Sequence, residues 1–348
     1  MNTKTKMDPT IPEKKMECFE SEKAIQFIKQ YFSNLLSESL QLQKIAAPLL
    51  VQQSTGLNDN LSGLEKAVKV QVKGLEKKDA VVVHSLAKWK REKLARYDIE
   101  KDSGIYTDMQ ALRQDEDLSD IHSVFVDQWD WEVHLNANER SIATLKSKVR
   151  IIYKCIRKTE QSLKTIYPYL NTILPLDIFF IHAEELLQKY PELNPKEREN
   201  EIAKIKGAVF IIGIGGLLSN GEVHDGRAPD YDDWSSIDSL TGLRGLNGDI
   251  LVWNPILQVA FEISSMGIRV DQESLQMQLK LTGHLDRLKL PFHKQIMDGN
   301  CVQSIGGGIG QSRLCMFLLK KRHIGEVQAS VWPEHIISET TGQKINLL

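Results

Sequence analysis

Strand-like and helix-like segments alternate along the whole chain with no linker between them, and this alternation most constrains the fold. Apolar residues recur at three- and four-residue steps across 22–40, which predicts an amphipathic helix. Further helical patterns lie at 141–167, 181–190, 195–206 and, as the final helix, 310–321. Strand candidates lie at 46–51, 68–72, 80–83, 124–131, 208–214, 249–253 and 258–264. We therefore predict one α+β domain at 22–348, a mostly antiparallel sheet flanked by helices, after a flexible polar leader at 1–21.

Composition narrows the class of protein. The 348 residues carry a net charge of −2, with 41% hydrophobic and 26% charged residues, which is typical of a globular chain. Near-neutral charge disfavours nucleic-acid binding as the main task. No apolar run approaches the roughly 20 residues of a membrane span, and the N-terminus lacks a secretory signal. The cysteines are far apart and form no metal or redox motif, so we expect reduced thiols in a cytoplasmic protein without a membrane or nucleic-acid partner.

The strand at 124–132 carries an unusual polar face. A period of two places Val124 and Val126 on the same face as Gln128, Asp130 and Glu132. A face that changes from apolar to acidic along one strand is typical of a polar pocket floor. The alternative is a strand whose end simply reaches solvent.

The strand at 258–264 shows a similar pattern. The same period places Glu262 and Ser264 on one face, and a glutamate among apolar residues needs a cation, a metal or hydrogen-bond donors. With Asp249 on the preceding strand it could form a paired carboxylate site for Mg²⁺, which prefers oxygen ligands. An ordinary salt bridge is the alternative.

Two arginines and two loops complete the candidate chemistry. The segment 306–313 is interpreted as a glycine-rich turn leading into a helix, with Arg313 in the unfavourable first helical turn. Arg113, beside an acidic run, could clamp a phosphate, although such runs are commonly solvated charge clusters. The acidic loop at 224–234 suits cation or ammonium recognition if it is sheltered. From the residues alone, His84 is interpreted as a core or loop histidine.

Taken together, the segments 59–63, 84–91, 126–132, 228–234 and 306–313 resemble the ammonia-dependent asparagine synthetase (aspartate–ammonia ligase) family, which has the class II aminoacyl-tRNA synthetase catalytic fold. The resemblance runs from about residue 22 to the C-terminus. It implies an ATP- and Mg²⁺-dependent ligase that converts L-aspartate to a β-aspartyl-adenylate, releases pyrophosphate, and forms L-asparagine and AMP with ammonia. The chain departs from the family pattern in two places. Its N-terminal segment is longer, and Gln114 stands where relatives commonly carry proline.

The resemblance also implies residue roles. Arg113 and Arg313 would hold the nucleotide phosphates, Asp249 and Glu262 would accompany Mg²⁺, and Asp59 and Gln128 would join the two arginines as catalytic residues. Either Asp59 or Asp130 would pair the substrate ammonium, and either Arg227 or Lys90 would meet a carboxylate. The nucleotide side would comprise His84, Arg113, Ser123, Val126, Asp232, Glu262, Ile263 and Arg313. The amino-acid side would comprise Asp59, Ser85, Lys90, Gln128, Asp130, Arg227, Ser264, Ser265 and Gly306.

Two other functions remain open on the sequence. A tRNA-charging synthetase would need an anticodon-binding module, commonly an oligonucleotide-binding barrel, which the short leader cannot supply. A non-catalytic regulator with this fold would be expected to lose its nucleotide arginines or metal acids, and these are present here. A glutamine-dependent enzyme is excluded by the absence of an N-terminal cysteine nucleophile and an amidotransferase domain. The resemblance also implies a homodimer that pairs through the first helix and the segment around Pro48.

Overall fold

The computed structural model describes residues 16–59, 65–75 and 79–348. Most of the expected leader and residues 60–63 of the first motif lie outside these ranges. The described helices are α1 Cys18–Leu40, α2 Ala87–Arg96, α3 Ile142–Ile166, α4 Ala183–Lys189, α5 Pro195–Lys206, α6 Gln272–Leu281, α7 Pro291–Met297, α8 Gln311–Leu318 and α9 Glu334–Gly342. The described strands are β1 Leu42–Lys44, β2 Leu50–Gln52, β3 Lys69–Val70, β4 Ala80–Val82, β5 Gly104–Leu112, β6 Phe125–His134, β7 Phe179–His182, β8 Ala208–Ile212, β9 Asn247–Asn254, β10 Val259–Ile268 and β11 Ser304–Gly310.

An eight-stranded sheet organises the molecule, in the order β1-β5-β6-β11-β10-β9-β8-β7. Its inner pairs are antiparallel, and only the edge pairs β1–β5 and β7–β8 are parallel. A smaller antiparallel sheet has the order β2-β4-β3. The predicted α+β fold with a mostly antiparallel sheet is therefore confirmed. In the described part of the chain, no helix is long and apolar enough to cross a membrane.

The main core lies between this sheet and the pair α1 and α3. Ile28, Phe32 and Leu36 of α1 are fully buried, at the helical spacing expected from the sequence. The Phe32 ring packs on the Trp129 ring of β6 with centroids 4.6 Å apart. One face of β6 is thus fixed against α1, so its other face must line the opposite side of the sheet.

Helix α1 begins at Cys18, whereas we expected the leader to continue to residue 21. The first turn is helical because it is packed: Ser21 is buried, and its hydroxyl accepts a hydrogen bond of 2.8 Å from Lys321 Nζ. A search for regularly spaced apolar residues cannot detect a buried residue that is small and polar. This explains why the pattern alone placed the start too late.

The interpretation of the glycine-rich segment was right only in part: Arg313 lies in the first turn of helix α8, as expected, but the glycines do not form a turn. Residues 304–310 form β11, a central strand paired with both β6 and β10, rather than a turn. Glycine is normally weak in strands, and it is tolerated here because the neighbouring strands leave no room for side chains. The other differences among the strands have the same cause, which is pairing that local sequence does not encode: β1 and β5 were not predicted, and residues 181–182 belong to β7 rather than to a helix. Helices α2, α6, α7 and α9 were also not predicted.

Candidate active site

A cavity of about 520 Å³ lies on the sheet face opposite α1. Gln128 and Asp130 of β6 line it, as the alternation along this strand predicts. Asp127 turns the other way, where its carboxylate accepts hydrogen bonds of 2.8 Å from Lys29 Nζ and 2.9 Å from the Ser312 amide. The strand therefore supplies an acidic cavity floor on one face and anchors α1 and α8 on the other.

The backbone of β11 forms the rest of the floor. Gly306 and Gly308 lie directly opposite Glu132 and Asp130 in the sheet register. A Cβ at Gly306 would lie 2.6 Å from Arg269 Nη2, and one at Gly308 would lie 2.8 Å from Gln128 Cδ. The glycines are needed because the space above them is already occupied by cavity side chains.

A β-bulge in β10 changes which residues face the cavity. Glu262 pairs with Leu251 and Ser264 with the adjacent Ile250, so one extra residue of β10 is left unpaired between them. The alternation shifts by one position, and Glu262 and Ser265 line the cavity while Ser264 does not. The expected shared face of Glu262 and Ser264 is therefore wrong. The Ser264 hydroxyl instead donates a 3.0 Å hydrogen bond to the Gly308 carbonyl.

One end of the cavity, which we call the closed end, is a buried ion network formed by Lys90, Asp130, Glu132, Asp232 and Arg269. Arg269 donates to Glu132 through Nη2 at 2.7 Å and Nε at 2.9 Å, and it also pairs with Asp232. Lys90 pairs with Asp130 and donates to the carbonyls of Trp131 at 3.0 Å and Gly307 at 3.1 Å. These side chains are at most 3% exposed, so their geometry is set before any ligand arrives.

In the closed end, burial and ion pairing shift the pKa values of the charged groups in opposite directions. Burial alone would raise the pKa of Glu132, but the charge of Arg269 and its hydrogen bonds hold that pKa below the ordinary value. Burial raises the pKa of Asp232 in spite of Arg269 and Arg227. Burial also lowers the pKa of Lys90, and Asp130 opposes this effect. Such competing shifts are frequent at functional sites.

The other end, which we call the open end, consists of Arg113, Glu262 and Arg313. Arg113 follows β5, and its nearest ion-pair partner, Glu116, is 3.7 Å away. Arg313 donates to the Glu262 carbonyl at 3.2 Å and lies over the Phe261 ring at 5.9 Å. The three side chains are 26%, 40% and 23% exposed. Two loosely held guanidinium groups face solvent here, and such groups suit bidentate contacts to phosphate.

Asp249 lies beneath the cavity wall rather than in it, because Arg227 Nη2 binds its Oδ1 at 2.5 Å. Burial raises the pKa of Asp249 to about 7, and Glu262 adds to the effect while Arg227 opposes it. Two neighbouring carboxylates that disfavour each other's charge suit a hard cation. Among the residues that the structure describes, no group of three metal-ligating side chains occurs. A Mg²⁺ ion here would therefore need further ligands from a nucleotide or from water.

Fourteen of the residues expected at the site line this one cavity. They are Asp59, His84, Ser85, Arg113, Ser123, Val126, Gln128, Asp130, Arg227, Asp232, Glu262, Ile263, Ser265 and Arg313. The remaining four support it from below: Lys90, Asp249, Ser264 and Gly306.

Sequence reasoning missed Arg269, which lines the cavity, and did not give Glu132 a role beyond its strand face. The sequence signal that could have identified Arg269 was an arginine at the end of an apolar strand.

The sheet and its cavity define the class of protein. The structure resembles asparaginyl-tRNA synthetase from Entamoeba histolytica in complex with asparaginyl-adenylate, with a TM-score of 0.65 and 14% identity over 89% of this chain and 66% of that chain. It also resembles the Pyrococcus horikoshii enzyme complexed with asparaginyl-adenylate, with a TM-score of 0.64 and 15% identity over 90% and 70% of the two chains. At this identity the likeness shows the fold alone, and that fold is the catalytic fold of class II aminoacyl-tRNA synthetases.

The sequence comparisons give the family. The aspartate-ammonia ligase family model matches residues 19–344. The chain is 53% identical to aspartate–ammonia ligase of Parabacteroides distasonis and 52% identical to that of Bacteroides thetaiotaomicron, each over 94% of this chain and 95% of the relative. The chain belongs to the aspartate–ammonia ligase family.

Proposed function

We propose that the chain synthesises L-asparagine from L-aspartate, ATP and ammonia, through a β-aspartyl-adenylate, with release of pyrophosphate and AMP. Family membership and 53% identity to a curated ligase support this reaction. The observation that carries it is one cavity with a pre-paired, closed end and a loosely held, arginine-rich open end. The first end suits a small zwitterion, and the second suits phosphates.

In the first step, a β-carboxylate oxygen of aspartate forms a bond to the α-phosphorus of ATP, and the bond to pyrophosphate breaks. The closed end binds the amino acid: Asp59, Asp130 or Asp232 faces its ammonium group, and Arg269 with Arg227 faces its carboxylates. Lys90 is buried below Asp130, so it acts by fixing the position of that carboxylate. Ser85, Gln128, Ser265 and the Gly306 backbone complete this side, with Ser264 beneath it.

At the open end, Arg113 and Arg313 stabilise the negative charge that develops on the α-phosphate, since preorganised cations are the main catalytic device in such transfers. Ser123, Val126, Asp232 and Ile263 border the nucleotide. Asp249 and Glu262 would hold Mg²⁺, which supplies charge neutralisation to the phosphates when bound. Before that, the same carboxylates hold Arg227 and Arg313 in place.

In the second step, ammonia attacks the β-carbonyl carbon of the adenylate and AMP leaves. The direct test combines the chain with aspartate, ATP, Mg²⁺ and ammonium, and quantifies asparagine, AMP and pyrophosphate by mass spectrometry. Equal yields of the three products support the proposal. Pyrophosphate exchange without asparagine would favour transfer to another acceptor such as tRNA, and no turnover would favour a regulatory protein.

We also propose a homodimer that pairs through α1 and the Pro48 segment. Support comes from exposed apolar side chains there: Phe19, at the start of α1, is 73% exposed, and Leu49, beside Pro48, is 51% exposed. The adjacent strand β2 is also an edge of its sheet and leaves backbone groups available for pairing. Light scattering at micromolar concentration should give twice the monomer mass. A monomer mass would refute the dimer without affecting the reaction.

A further inference from the structure

His84 and Asp59 are fixed to each other in the wall of the cavity. His84 Nδ1 lies 3.1 Å from the Asp59 carbonyl oxygen. The side chain of Asn58 accepts hydrogen bonds from the amides of both residues, at 3.0 Å from Asp59 and 2.9 Å from His84. The imidazole ring therefore has a defined position and a defined tautomer. Because a carbonyl oxygen can only accept, Nδ1 carries the proton.

The other ring nitrogen has no partner. His84 is 1% exposed and lines the cavity, and within the described ranges its Nε2 atom is buried without a hydrogen bond. Leaving a buried polar atom unsatisfied is costly, so a ligand is expected to satisfy it. With Nδ1 protonated, the neutral ring presents a lone pair at Nε2. Its partner must be an N–H or O–H donor, which excludes a phosphate oxygen.

The charged groups around this segment favour a small cation. The Asp59 carboxylate accepts a 3.0 Å hydrogen bond from Ser85 Oγ, and Asp130 accepts one of 3.3 Å from the Leu86 amide. Lys90 is already paired with Asp130. Tyr231 also faces this region: burial, followed by the negative charge of Asp59, holds its pKa well above the usual range. Carboxylate charge in the same cavity as a bare imidazole lone pair is complementary to ammonium, which has only N–H donors.

We propose that His84 Nε2 is the general base that converts bound ammonium into the attacking ammonia. Ammonium transfers one proton to Nε2, and the freed nitrogen lone pair forms the C–N bond at the β-carbonyl carbon of the adenylate. The C–O bond to AMP then breaks, and AMP leaves with the electron pair. The new amide nitrogen releases a second proton to solvent, and the imidazolium then releases the first proton to solvent, which restores the neutral base. The proposal rests on the ligase reaction proposed above.

The test compares two nitrogen nucleophiles in wild type and in His84→Asn. The asparagine amide can keep the donor to the Asp59 carbonyl, while the variant lacks a basic nitrogen at the Nε2 position. His84→Gln is the matched control, since its amide reaches toward the Nε2 position but is not basic. Three readouts are measured: aspartate-dependent pyrophosphate exchange, asparagine formation from ammonium, and aspartyl hydroxamate formation from hydroxylamine. Hydroxylamine is largely uncharged at neutral pH and needs no deprotonation before attack.

We expect any loss of pyrophosphate exchange or hydroxamate formation in the two variants to be much smaller than the loss of asparagine formation. Asparagine formation at neutral pH should fall by at least about 100-fold, the lower range for general base catalysis, and recover as pH rises and free ammonia increases. Parallel loss of all three activities, or a raised KM for ATP alone, would assign His84 to the nucleotide and overturn the proposal. Unchanged asparagine formation would also overturn it.

A second measurement needs no variant. In wild type, kcat/KM for total ammonium should level off above neutral pH if a base on the enzyme deprotonates bound ammonium. A value that instead rises in proportion to free ammonia throughout would show that ammonia binds directly, and would overturn the proposal. If the wild type forms asparagine but follows this second pattern, the ligase reaction stands and only the role of His84 as the base fails.

Discussion

The two ends of the cavity differ in how firmly their charged side chains are held. The closed end is pre-paired, with Arg269 and Glu132 at most 2% exposed and bonded at 2.7 Å. The open end holds Arg113 and Arg313 by contacts of 3.7 and 3.8 Å that are easily exchanged for a ligand. Substitutions in the closed end should therefore affect folding as well as the proposed amino-acid binding, whereas those in the open end should affect catalysis with little effect on folding.

The largest expected effect comes from Glu132→Ala. Removing this carboxylate leaves Arg269 without its main partner, and breaking a buried ion pair typically destabilises a protein by about 3–5 kcal/mol. Urea unfolding would measure the loss. Lys44→Ala is the matched control, because its pair with Asp108 is half exposed and exposed pairs contribute less than about 1 kcal/mol. Equal losses in the two variants would remove the distinction between the ends.

Next is Arg113→Ala in the open end. We expect the rate of aspartate-dependent pyrophosphate exchange to fall by about 10²–10³-fold, because an electrostatic contact to the transition state is lost. The unfolding free energy should stay within about 0.5 kcal/mol of wild type, as is usual for surface substitutions. A folded variant with near-wild-type kcat would disprove the phosphate role. Arg113→Lys keeps the charge but not the bidentate geometry. Its rate of pyrophosphate exchange should therefore lie between those of wild type and Arg113→Ala.

Two glycines of β11 sharpen the same contrast within one strand. Gly306→Ala would press against Glu132 and Arg269, which cannot move, whereas Gly308→Ala would meet the flexible end of Gln128. Overpacking costs about 1–3 kcal/mol, and we expect Gly306→Ala near the top of that range and Gly308→Ala near the bottom. Thermal unfolding would rank them. The opposite order would mean that the closed end is less rigid than its contacts indicate.

The pH dependence at Asp249, which lies between the two ends, is the smallest change for each step of the measured variable, although it accumulates across the window. Its pKa is raised from 3.8 to about 7 in the folded state, so the native protein binds more protons than the unfolded chain between these values. Stability should therefore decrease as pH rises through this window, by up to about 1.4 kcal/mol per pH unit. Asp249→Asn has no titrating group at this position. The unfolding free energies of wild type and the variant, measured with urea across the window, should therefore converge as pH rises. Parallel curves would refute the raised pKa.

The fold was largely predictable because its elements carry strong local patterns. Helices α3 and α5 and strand β8 lie within about two residues of the expected ranges. The strands that were missed depend on long-range pairing. Strand β11 has no strand propensity of its own and forms only because β6 and β10 are in place on either side, and β5 likewise depends on β1 and β6.

The sequence predicted that the proposed site residues lie together, but not how each side chain faces. Fourteen of the residues implied by the resemblance line one cavity, and the bulge at 262–264 reversed the faces of Ser264 and Ser265. A bulge is one unpaired residue, and no period-two pattern can locate it. Arg269 was missed because its function depends on Glu132 and Asp232, which are 137 and 37 positions away in the chain.

The glycines of β11 have a consequence for how the cavity can change. The side chains of Glu132 and Arg269 lie over Gly306, and that of Gln128 lies over Gly308, so no smaller residue could stand at either strand position. Every substitution at these glycines adds bulk beneath the cavity floor, whereas a substitution at Gln128 can remove it. The floor can therefore be made shallower from the central strand but deepened only through the side chains that lie on it.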